Sequence, residues 1–171
     1  EMESQYAQAS GVHINGSRVY VAYSYGLLVL DISNPSMVRK IGEGDDALWS
    51  GTVQVQGNRA YVGDSHGLVI YDVSNPASPI NLGTSYAQGR QGTLRGLDVV
   101  GNLVYGAVRG MGLVAYDVSD PSQPTVRAVY DRDQFPNDVQ VVNDLAYVGG
   151  SLRLVDVSNP AAMSEVAYYD T

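Results

Sequence analysis

The sequence predicts an all-β fold, a β-propeller built from four four-stranded blades of roughly 40–45 residues each. Three observations carry this. An apolar segment ending in Asp-x-Ser-Asn/Asp-Pro recurs four times, tyrosine and turn markers recur in phase with it, and the apolar segment does not alternate. Its copies are Leu27-Leu28-Val29-Leu30-Asp31-Ile32-Ser33-Asn34-Pro35, then Leu68 to Pro76, Leu113 to Pro121, and Leu152 to Pro160. The aspartates at 31, 72, 117 and 156 stand 41, 45 and 39 residues apart.

Each unit reads in the same order. An alternating pair opens it: Val12/Ile14, Val53/Val55, Leu97/Val99 and Val139/Val141. A turn residue follows (Gly16, Gly57, Gly101 or Asn143), suited to the positive φ of a short hairpin. Four residues later comes a strand tyrosine, Tyr20, Tyr61, Tyr105 or Tyr147, expected to be buried at equivalent places. The third strand is apolar on both faces, so it must be covered on both sides. A blade sandwiched between two neighbours meets that demand, whereas a two-sheet sandwich leaves one face wet. A fourth, outer strand completes the unit.

Composition agrees. Among 171 residues there are 19 Gly and 13 Tyr but one Phe and one Trp, and charged residues make up 16%, which favours short strands and tight turns over charged helices. The net charge of −8 argues against nucleic acid and anionic membrane surfaces as partners. With no cysteine, a disulfide framework, a thiol nucleophile and a zinc-thiolate site are excluded. No apolar run is long enough for a membrane-spanning helix, so membrane insertion is not expected. The start at Glu1-Met2 reads as a mature or excised product.

The segment Gly67-Leu68-Val69-Ile70-Tyr71-Asp72-Val73-Ser74-Asn75-Pro76, with Gly57-Asn58-Arg59-Ala60-Tyr61-Val62 before it, resembles the LVIVD repeat. That resemblance covers nearly the whole chain. It implies a propeller of bacterial or archaeal surface or secreted proteins, hence an extracellular or cell-surface location, and it implies no shared catalytic motif. The fourth unit departs from the pattern twice. Ser151 stands where the others have Gly26, Gly67 and Gly112, and Arg153 stands where they have Leu28, Val69 and Val114.

The chain is expected to be a single propeller over 1–171, with repeat cores at 12–47, 53–88, 97–133 and 139–171. Residues 1–11 read as an outer strand of a preceding or closing blade, because Ser4-Gln5-Tyr6-Ala7-Gln8 resembles the Ser85–Gly89 stretch. Two arrangements stay open, a complete four-bladed ring and a sector of a larger one. A sector would leave strand edges and blade faces exposed, with self-association as a consequence. Arg153 reads either as the mark of a wetter face on the fourth blade or as a long side chain snorkelling from a buried stem.

Candidate chemistry is sparse. The Asp-x-Ser-Asn/Asp-Pro ends read as turns whose short side chains bond nearby backbone N–H groups. The connections from each outer strand to the next inner strand gather on one face. They carry Trp49 with Asp45 and Asp46, Arg90 with Arg95, and Phe135 with Asp133. A rigid aromatic beside polar groups suits a glycan or a protein hot spot, so these seven residues are the expected ligand-binding set. Asp131, Asp133 and Asp138 offer oxygens for Ca²⁺, but their spacing is not that of an EF-hand; otherwise no cofactor is expected. His13 and His66 sit at unlike positions in different units, which argues against a paired role. No Gly-x-Ser-x-Gly elbow is present, and no catalytic residue is assigned. The leading expectation is a non-catalytic interaction module binding a protein or glycan. The alternatives are a hydrolase or lyase with acids converging at the channel mouth, and an architectural spacer without a ligand.

Overall fold

The computed structural model describes residues 8–47, 49–86, 92–132 and 135–169. All regular structure among them is β. The first blade is β1 (Ala9–Asn15), β2 (Arg18–Tyr23), β3 (Gly26–Asp31) and β4 (Arg39–Gly44), and the second is β5 (Thr52–Gln56), β6 (Arg59–Gly63), β7 (Gly67–Asp72) and β8 (Ile80–Tyr86). The third is β9 (Leu94–Val100), β10 (Leu103–Val108), β11 (Gly112–Asp117) and β12 (Thr125–Tyr130). The fourth is β13 (Asp138–Val142), β14 (Leu145–Gly149), β15 (Leu152–Asp156) and β16 (Ser164–Tyr169). Each blade is an antiparallel meander with its strands in sequence order. The β3–β4 pairing has a bulge after Val29, and its three counterparts have one at the equivalent place.

The expected turn chemistry is present. Gly16, Gly57 and Gly101 adopt φ near +60°, and Asn143 takes the same role at +49°. In the fourth blade Gly150 carries the positive φ of the second turn, one residue ahead of Ser151. The Asp-x-Ser ends close as predicted: the Ser33, Ser74, Ser119 and Ser158 N–H groups donate to Asp31, Asp72, Asp117 and Asp156 at 2.8–3.0 Å. These bonds favour the ionised carboxylates. Asp31 is held down to about 2 by Ser33 first and then by Arg39, and Asp72, Asp117 and Asp156 lie below the usual range because of their serines. A carboxyl depressed in the folded state contributes stability that is full above its unfolded pKa near 4 and is lost as pH falls through the folded value. The melting temperature should therefore hold from neutrality to about pH 5 and drop between about pH 4 and 2. A profile followed by circular dichroism that stays flat to pH 2 would refute this.

Alternation of side chains gives each blade a back face toward the preceding blade and a front face toward the next. Three clusters fill the spaces between blades. Tyr20, Ala22, Leu27 and Val29 meet Val53, Val55, Val62 and Tyr71 in the first. Tyr61, Leu68 and Ile70 meet Leu97, Val104, Val114 and Tyr116 in the second. Tyr105, Leu113 and Ala115 meet Val139, Ala146, Val148 and Val155 in the third. The inner strands β1, β5, β9 and β13 pack in succession, and no comparable packing joins β13 back to β1. The four blades form an open arc, so among the described residues the ring is not closed.

Two expectations are corrected by this arrangement. Tyr20, Tyr61 and Tyr105 are each only 2% exposed, but Tyr147 is 40% exposed because its front face has no following blade. Ala9, Ser10 and Gly11 belong to inner strand β1 rather than to an outer strand, and residues 1–7 lie outside the described residues. Arg153 is resolved in favour of the half-buried reading. It pairs opposite Val148 on the face toward the third blade, donates to Glu165 at 2.5 Å and stacks on Tyr168 at 4.2 Å. Tyr130 of the third blade donates to the same Glu165 oxygen at 2.6 Å, which ties the outer strands of two blades together.

Candidate recognition cleft

In an up-and-down meander, the connections between blades and the turns between second and third strands emerge at the same end. That end holds a cleft of about 450 Å³. Its lining includes Ser10, Gly51, Arg95 and Asn137, which occupy one repeat position in all four blades. Two residues earlier in the repeat stand Gln8, Trp49 and Thr93, which also line it, together with Ser24 and Ser50. The lining thus offers hydroxyls, amides, an indole and one guanidinium.

Trp49 is positioned by its backbone. Its φ is +55°, a left-handed conformation uncommon outside glycine, and its N–H donates to Ser24 O of the first blade at 3.0 Å. The bond across the blade boundary fixes the main chain and leaves the ring 68% exposed over the cleft. Beside it Ser50 is 2% exposed, and its buried Oγ has no hydrogen-bond partner among the described residues.

Of the seven residues predicted for binding, Trp49 and Arg95 come together in the cleft. Asp45 and Asp46 are exposed and do not line it. They sit instead near the tyrosines behind the loop. Burial raises the Tyr71 hydroxyl, helped by Asp46 and Asp45, and burial raises Tyr23, helped by Asp45. Phe135 is exposed on the same end, with the Arg109 guanidinium 5.5 Å above its ring. Arg90 and Asp133 lie outside the described residues.

For calcium, Asp131 and Asp138 are exposed, and Asp138 Oδ1 accepts the Val139 N–H at 2.9 Å. No group of three or more His, Cys, Asp or Glu with metal-holding geometry occurs among the described residues. His13, half-buried on β1, is lowered by burial, while His66 contacts Ser65 Oγ at 2.9 Å and meets Tyr86 edge-on. The histidines do not share a site.

Sequence reasoning missed the turns between second and third strands. Ser24 lines the cleft, Arg109 covers Phe135, and buried Asp64 accepts the N–H groups of His66 and Gly67 at 2.7 Å each. Strand order alone could have placed these turns at the same end as the connections between blades. The ring formed by Ser10, Gly51, Arg95 and Asn137 has no shared chemistry, so no motif announced it.

A search of curated proteins finds no match to this chain. Among solved structures, the computationally designed Ika4 protein superposes with a TM-score of 0.65 at 14% identity, over 99% of this chain and 96% of its own. The designed Ika8 protein gives 0.66 at 14%, over 88% of this chain but 46% of that one. A functionally unknown protein from Desulfotomaculum acetoxidans DSM 771 gives 0.76 at 10%, over 96% and 56%. The chain thus spans nearly the whole of one similar structure and about half of two others. Identities this low show the fold alone. The model of the LVIVD repeat matches four times, over 7–43, 50–87, 91–132 and 136–171. The chain belongs to the LVIVD repeat family.

Proposed function

We propose that this protein is a non-catalytic recognition module that binds a glycan in the cleft at the end of the arc where the blades are connected. The observation that carries the reading is the exposed Trp49 ring at the cleft, held by a left-handed backbone bonded across the blade boundary to Ser24. A flat indole offers apolar area at little cost in side-chain entropy, and the hydroxyls and amides around it suit a polyhydroxylated ligand. Arg95 adds one positive charge on a chain of net charge −8, which favours glycans bearing an acidic substituent. Hydroxyls, amides and a guanidinium hold and orient a ligand without changing protonation near neutral pH. An extracellular or cell-surface setting belongs to the same reading, and only the family resemblance supports it.

The test is a glycan array followed by calorimetry on the best ligand. Trp49→Ala should weaken binding by roughly 30-fold or more with the fold retained. A double Asp31→Asn, Asp72→Asn variant, altered at the opposite end, should bind normally. Undiminished binding by Trp49→Ala would overturn the proposal, and so would loss confined to the opposite-end variant. Capture of a peptide in place of any glycan would assign the cleft to a protein partner.

A further inference from the structure

Each space between blades is built the same way, and both halves of one more such space are left open at the ends of the arc. The back face of the first blade carries Val12 and Ile14, 65% and 63% exposed, where the equivalents Val53 and Val55 are buried in the first cluster. The front face of the fourth blade carries Tyr147 and Leu152, each 40% exposed, where Tyr105 and Leu113 are buried in the third. Tyr169, opposite Leu152 in register, extends that front face. Apolar side chains grouped on an exposed face in this way are the pattern of an interaction surface.

Two polar and steric details repeat as well. Gln54 Oε1 of the second blade accepts the Val99 N–H of the third at 2.7 Å, and Asp98 Oδ2 of the third accepts the Val141 N–H of the fourth at 2.7 Å. The next acceptor in that series is Gln140, which is exposed, and the matching N–H belongs to Ile14. On the outer strands, a small residue seats the proline turn of the following blade. The position of a Cβ at Gly42 lies against the Pro76 carbonyl, and that at Gly83 lies against the Pro121 carbonyl. Ala167 is the small residue at that place in the fourth blade and is exposed; Pro35 is exposed where Pro76, Pro121 and Pro160 are half-buried.

We propose that a second copy of this chain covers both open faces, the fourth blade of each copy packing on the first blade of the other in a head-to-tail ring. A single partner of this kind supplies, already spaced by one four-blade unit, the Val12/Ile14 face for one end and the Tyr147/Leu152 face for the other. It seats Pro35 on Ala167, as in the first and second internal spaces, and places Gln140 at the Ile14 N–H, as in the second and third. Eight blades lie within the propeller range, and a heterologous contact that closes gives a ring rather than a filament. In Ika8, likewise, the match to 88% of this chain occupies 46% of that one. Both copies are acidic, so raised salt should favour association.

The experiment is sedimentation equilibrium or native mass spectrometry on the whole chain, with circular dichroism to confirm folding. The wild type should have twice the protomer mass. A back-face variant, Val12→Glu with Ile14→Glu, should sediment as a protomer, and so should a front-face variant, Leu152→Lys with Tyr169→Lys. Mixing the two variants should restore dimers, because one seam of the mixed ring is then unaltered and the other sets glutamates against lysines. A folded wild type that stays protomeric at every accessible concentration overturns the proposal and assigns the faces to another protein or to further blades. A dimer that survives both variants, or a mixture that stays protomeric, overturns it also.

Discussion

Replacing Tyr61 with alanine should destabilise the protein by about 3–5 kcal/mol, the range for truncating a large buried aromatic. Tyr61 is among the largest fully buried side chains, and it fills the second inter-blade space between its own Leu68 and Ile70 and the facing Leu97 and Val104. Truncation leaves a cavity that two hydrogen-bonded sheets cannot collapse to fill. The same change at Tyr147 should cost less than about 1 kcal/mol, as for other exposed positions. That comparison is made at protein concentrations low enough to keep protomers apart, where the front face of the fourth blade stays uncovered. Urea unfolding of both variants reads the difference. Equal losses would mean that Tyr147 is covered within the protomer and that the arc is closed.

Gly42→Val should be the next most damaging change, at about 1–3 kcal/mol or more, the usual cost of overpacking. A Cβ at Gly42 would sit 1.9 Å from the Pro76 carbonyl oxygen and 2.9 Å from its carbon. That carbonyl cannot swing away, because the turn is pinned by the Ala77 N–H donating to Asn75 Oδ1 and by the Ser78 N–H donating to Asn75 O. The first two blades must therefore part at their outer edge, opening the cluster around Ile41 and Val73. The equivalent change on the open blade, Ala167→Val, meets solvent and should be near neutral in separated protomers. Thermal melts of the two variants check this; similar melting temperatures would show that blade spacing is not set by the Gly42 contact.

The contrasts at Tyr147 and Ala167 show how far the sequence can be read. Repeat phase revealed the blades, the hairpin turns at Gly16, Gly57 and Gly101, and the Asp-x-Ser closures, because these depend on neighbours within a few residues. Burial of a repeat position depends on the adjacent blade, which phase does not reveal. Tyr147 carries the same residue as Tyr61 and differs only in having no blade in front of it. The cleft was half legible: that Trp49 and Arg95 stand at one end followed from their places in connections between blades, whereas the exposure of the Trp49 ring did not. Asp45 and Asp46 share that connection but do not line the cleft. The ring of Ser10, Gly51, Arg95 and Asn137 becomes visible only when the four inner strands are laid side by side.

The openness of the arc can be measured as one distance. The protein has no cysteine, so Ile14→Cys with Tyr147→Cys places two spin labels and no others, one on each open face. Labelled chains diluted into excess unlabelled protein report the distance within one molecule. In a closed four-bladed ring these two faces would stack at about 10 Å, the packing distance of facing sheets. The open arc predicts a separation well beyond that, with no strong dipolar broadening at high dilution. A broadened spectrum corresponding to about 10 Å, independent of dilution, would contradict it.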